Sequence, residues 1–97
     1  MHISEKEKTK IIQLINAIVP GVTIILFGSQ ARNSATQSSD VDLALDAGRA
    51  LSNAEYTEVA GVLDGTNLPY SFDIVDIHKA SAAIKQSIER EGIKWTT

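Results

Sequence analysis

The segment that most constrains this chain is residues 40–46, Asp-Val-Asp-Leu-Ala-Leu-Asp. Its residues alternate without a break, so Val41, Leu43 and Leu45 face one side while Asp40, Asp42, Ala44 and Asp46 face the other. A period of two predicts a half-buried strand with a carboxylate-rich open face. Aspartate is depleted in strands, and Asp40 and Asp42 set two like charges on one face, roughly 7 Å apart along the backbone. No Lys or Arg within the segment offsets them. Such a pair is tolerable where a divalent cation sits between the oxygens or where both side chains reach water.

The flanking elements complete a small sandwich. Residues 22–27, Val-Thr-Ile-Ile-Leu-Phe, are polar at one position only, which predicts a central strand covered on both faces. Residues 71–77, Ser-Phe-Asp-Ile-Val-Asp-Ile, predict a third strand. Ser4 with Glu7, and Ser52 with Glu55, fit the capping box that opens a helix. Ile11, Leu14, Ile15 and Ile18 give the first helix its apolar face, before Pro20-Gly21 ends it; Tyr56, Val59, Ala60 and Leu63 do the same for the second. Ser81 opens a last helix that ends at Gly92, with Ile84, Ile88 and Ile93 expected mainly in the core and Trp95 folding back onto the body. The small polar stretch of residues 29–39 predicts a short helical turn and an exposed loop. The expected fold is α/β (α+β): a small mixed sheet of about three or four strands flanked by helices, in one domain over residues 1–97.

Composition removes several classes of function. No cysteine is present, which excludes disulfides, thiolate nucleophiles, zinc fingers and iron–sulfur clusters. A net charge of -3 argues against a nucleic-acid coat or a polybasic membrane binder. No apolar run approaches the roughly 18 residues of a membrane span, and the start, Met1-His2-Ile3-Ser4-Glu5-Lys6, lacks a signal-peptide core. A cytoplasmic protein is expected.

More acid arrives with the third strand. Asp73 and Asp76 are three apart, so they face opposite sides of the sheet and only one can share a face with Asp40 and Asp42. Three converging carboxylates are the oxygen set that Mg²⁺ takes, with substrate phosphates completing its octahedron. Gly28-Ser29, just after the apolar strand, adds a backbone that a ligand can approach, and free N–H groups and a hydroxyl suited to phosphate. A phosphate cradle and a metal cluster separated by a ten-residue loop are what nucleotide transfer from a nucleoside triphosphate requires. His78, which follows the third strand, is read as a surface residue.

The segment Gly28-Ser29, ten residues, then Asp40-Val41-Asp42 resembles the G-S-x10-D-x-D signature of the polymerase-β-like nucleotidyltransferase superfamily. The short chain looks like its minimal nucleotidyltransferases, the antitoxin components of pairs with HEPN-domain toxins. The resemblance spans residues 22–77 and implies a palm-like core. It implies that Gly28 and Ser29 bind the nucleotide's phosphates and that Asp40 and Asp42 ligate metal. It further implies that a third carboxylate, best matched by Asp73 with Asp76 as the competing choice, completes the catalytic and metal set. It also implies Mg²⁺, ATP, and AMP transfer to a tyrosine hydroxyl of a HEPN partner in a hetero-oligomer. Where many relatives read G-S-R-A-R-G, this chain has Gln30 in place of an arginine and Asn33 in place of a glycine, while Arg32 remains. Two alternatives stand beside this expectation: neutralisation of a HEPN toxin by binding alone, and nucleotidyl transfer to a small molecule.

Overall fold

A computed structural model describes residues 3–28, 31 and 40–96. In chain order these form α1 (Glu5–Ile18), β1 (Thr23–Phe27), β2 (Asp40–Asp46), α2 (Asn53–Asp64), β3 (Ser71–Asp76), α3 (Ala82–Glu91) and β4 (Ile93–Lys94). Among the described residues the strands make a four-stranded sheet ordered β3-β2-β1-β4. β1 runs antiparallel to β2 and β4, and β2 runs parallel to β3, so the sheet is mixed. No helix among the described residues is long and apolar enough to cross a membrane.

Local chemistry sets the boundaries. In both capping boxes the serine hydroxyl accepts the N3 backbone N–H while the N3 glutamate accepts the serine N–H: Ser4 with Glu7 at α1, and Ser52 with Glu55 at α2. Ser81 caps α3 by accepting the Ile84 N–H. Past the end of α1, the Asn16 side chain accepts the Gly21 N–H at 2.8 Å.

Strand parity then sorts the core. Ile24, Leu26, Val41, Leu43, Leu45 and Ile74 point to one face, where they pack with Ile11 and Ile15 of α1 and Val59 and Leu63 of α2. Ile25, Phe27 and Ala44 point to the other, where Ile88 of α3 covers them. Four of the five β1 residues are buried, as a strand covered on both faces requires. Tyr70, just before β3, donates its hydroxyl to Glu7 Oε1 at 2.7 Å and so ties the start of β3 to α1. Burial and that carboxylate push the phenol up to about 12.

The short β4 forms where the chain turns back at Gly92. A Cβ there would meet Ile88 O and stand 2.7 Å from Ile25 Cγ2, so glycine lets α3 sit close over β1. Beyond β4 the pairing continues: the Trp95 N–H donates to Ile24 O at 2.8 Å, and the Thr96 hydroxyl accepts the Ile24 N–H at 2.9 Å.

Two expectations about the core need correction. Ile84 and Ile93 are 37% and 47% exposed, because α3 turns only Ile88 fully onto the sheet and Ile93 lies on an edge strand. Tyr56 is 39% exposed as well: its hydroxyl donates to Ile74 O at 3.0 Å, which holds the ring at the open edge of β3.

The α2 N-terminus generates an acid-sensitivity test. Arg49 donates twice to Glu55, at 2.9 and 2.8 Å, and with the Ser52 N–H this holds the Glu55 carboxyl at about 2 instead of 4.5. A group whose folded-state pKa is depressed contributes stability above its unfolded pKa and loses it as pH falls toward the folded value. The urea midpoint is expected to fall between pH 4.5 and pH 2, with a smaller slope in Glu55→Gln. Glu7 and Asp46, also lowered, contribute slope of the same sign.

Candidate active site

The candidate site lies where β1 ends and β2 and β3 begin. In the antiparallel β1–β2 ladder Phe27 stands opposite Asp42, so the exit of β1 meets the entry of β2. In the parallel β2–β3 ladder Asp40 stands opposite Ser71 and Asp42 opposite Asp73. Residues in register on adjacent strands point the same way, and residues two apart on one strand share a face. Asp40, Asp42 and Asp73 therefore project from one face, beside the apolar floor of Phe27 and Ala44. Asp42 is half-buried, and Asp40 and Asp73 are exposed, so among the described residues α3 does not cover this end of the face.

The other acids of these strands are placed differently. Asp76 lies on the opposite face, is buried, and accepts the Leu51 N–H at 2.7 Å and the His78 N–H at 3.0 Å. Lys79 Nζ donates to Leu51 O at 2.9 Å and completes the latch between β3 and the segment before α2. Spacing alone leaves Asp73 and Asp76 as rivals for the face of Asp40 and Asp42; the β2–β3 register aligns Asp73 with it. Asp46 lies six residues beyond Asp40, roughly 20 Å along the strand. It accepts the Gly48 N–H at 2.9 Å and meets His78 Nε2 at 2.8 Å. The first of these contacts, helped by His78, holds its carboxyl below the usual carboxylate range. Nothing in the sequence pairs Asp46 with His78, which are brought together only by the parallel ladder. Ser29, Gln30, Arg32 and Asn33, and the helical turn expected after Ser29, lie outside the described residues.

Three neighbouring carboxylates offer hard oxygen donors. Among the described residues no three acidic, histidine or cysteine side chains lie grouped so that they alone could hold a metal ion. An open row suits Mg²⁺, which keeps several waters and takes one or two carboxylates together with substrate phosphates. The donor set thus fits a cation that arrives with a phosphorylated ligand better than a permanently caged ion.

Residues 9–95 match the family described as polymerase beta, nucleotidyltransferase. The chain belongs to this family. The protein adenylyltransferase MntA of Shewanella oneidensis is 33% identical to this nucleotidyltransferase chain over 92 residues, 93% of this chain and 66% of MntA. A toxin–antitoxin crystal structure with AMP-PNP superposes with a TM-score of 0.78 at 33% identity, covering 93% of this chain and 73% of that one. A tri-AMPylated S. oneidensis HEPN toxin in complex with MNT antitoxin gives a TM-score of 0.72 at 32% identity, with 93% and 70% covered.

The two acids of β3 are expected to separate in a stability measurement. Asp76→Ala leaves the buried Leu51 N–H without its acceptor and should cost roughly 2 kcal/mol or more in urea unfolding. Asp73→Ala removes an exposed side chain and should stay within about 0.5 kcal/mol of the parent.

Proposed function

We propose that this chain is a Mg²⁺-dependent nucleotidyltransferase that moves AMP from ATP to a tyrosine hydroxyl of a HEPN-domain toxin. In doing so it acts as the antitoxin, as one domain over residues 1–97, in the cytoplasm. The observation that carries this reading is the alignment of Asp40, Asp42 and Asp73 on one open face of the sheet. The likeness to MntA and to a complex with a tri-AMPylated HEPN toxin supports the choice of nucleotide and acceptor.

Each residue has a part in the reaction. Gly28 and Ser29 receive the triphosphate at the exit of β1. Asp40, Asp42 and Asp73 would hold the divalent ion, which when bound would supply positive charge against the triphosphate. Asp73 accepts the proton of the acceptor hydroxyl as its oxygen attacks the α-phosphorus. One O–P bond forms to the acceptor, the bond from the α-phosphorus to the bridging oxygen breaks, and pyrophosphate leaves with that oxygen.

The test is intact-mass analysis of the chain and a HEPN-domain partner incubated with Mg²⁺ and ATP. One or more AMP units should appear on the partner, and EDTA should abolish the gain. Asp42→Asn should slow transfer by at least on the order of a hundredfold, as for loss of a preorganised electrostatic group. Asp73→Asn should slow it on the order of 10²–10⁴-fold, the contribution of a positioned base. Tight co-elution with both masses unchanged would instead favour neutralisation by binding alone.

A further inference from the structure

Three glycines in this chain share a positive φ, Gly21 at 76°, Gly28 at 74° and Gly48 at 77°. All three sit where L side chains are strained. Their surroundings differ. A Cβ on Gly21 or Gly48 would meet nothing within 4 Å. A Cβ on Gly28 would collide with Asp42 Oδ2 and would lie 3.1 Å from Asp42 Cγ and 3.3 Å from its Cβ. The carboxylate of Asp42 thus occupies the space that any other residue at position 28 would fill.

Register gives the direction of this contact. Leu26 faces Leu43 and Phe27 faces Asp42, so Gly28, one residue further on, lies toward the Asp40 end of β2. We propose that Gly28 is a positioning residue for Asp42: its bare Cα lets the carboxylate settle at the exit of β1. The inference rests on the reading of Asp42 as a cation ligand. It gives the glycine of the Gly28-Ser29 pair a role toward the cation, through Asp42, in addition to its approach to phosphate. One missing Cβ then brings the phosphate-binding turn and a metal carboxylate together.

The experiment compares the full chain with Gly28→Ala, Gly48→Ala, Asp42→Ala and the Gly28→Ala/Asp42→Ala double variant. Gly48→Ala reports backbone strain alone. Thermal unfolding is read first, then Mn²⁺ affinity by electron paramagnetic resonance with a saturating non-hydrolysable ATP analogue. Gly28→Ala should melt at least about 4 °C below Gly48→Ala. That excess should vanish when Gly28→Ala is made in the Asp42→Ala background. Gly28→Ala should also weaken Mn²⁺ binding by roughly tenfold or more, the range for losing a group that orients a metal ligand, while Gly48→Ala leaves it unchanged. If Gly28→Ala cannot be purified but the double variant can, the collision with Asp42 is established by that rescue. Failure of both beside a stable Gly48→Ala overturns the proposal, as does unaltered Mn²⁺ affinity in Gly28→Ala. A parent chain that binds no Mn²⁺ even with the ATP analogue present contradicts the cation-ligand reading itself, a result distinct from these.

Discussion

The register of β2 is the constraint on which the rest depends. One face of this strand carries Val41, Leu43 and Leu45, all fully buried, and the other carries Asp40, Asp42 and Asp46. A slip of one residue would exchange the two sets. It would drive carboxylates into the apolar layer beneath α1 and α2, where an unpaired charge is prohibitively costly. The hydrophobic core therefore does more than hold the sheet together: it fixes where the acids emerge. β1, buried on both faces, transmits that register to the turn at Gly28, and the parallel ladder transmits it to Asp73.

The acids of the sheet divide by what surrounds them. Asp76 faces inward and is satisfied by two backbone N–H groups, so its charge holds the segment before α2 against β3. Asp46 is engaged by Gly48 and His78 at the far end of β2. Asp40, Asp42 and Asp73 gather like charge on an open surface, an arrangement that proteins tolerate where a cation and phosphates are to be bound. Strand parity thus separates Asp76 from the aligned acids, and position along β2 separates Asp46 from them.

Much of this was legible in the sequence because parity and capping are local. The alternation of residues 40–46 gave β2 its observed bounds, and Ser4, Ser52 and Ser81 marked the starts of three helices. What stayed hidden depends on contacts distant along the chain. The order of strands, and with it the choice of Asp73 over Asp76 for the shared face, follows from the β2–β3 pairing, which no local pattern encodes. β4 is two residues long, too short for a periodic signal. Tyr56 carries a helical apolar spacing, yet it sits at the sheet edge because its hydroxyl finds the Ile74 carbonyl. The contact between Gly28 and Asp42 crosses fourteen positions and is visible only in the folded chain.

The central claim is that a divalent cation binds where β1 ends and β2 and β3 begin. Paramagnetic broadening of backbone amide resonances by Mn²⁺ tests it most directly. The account predicts broadening centred on Phe27, Gly28, residues 40–42 and Asp73, reversed by excess Mg²⁺. Broadening centred on Asp46 and His78 at the other end of β2, or spread evenly over the acidic surface, would contradict it.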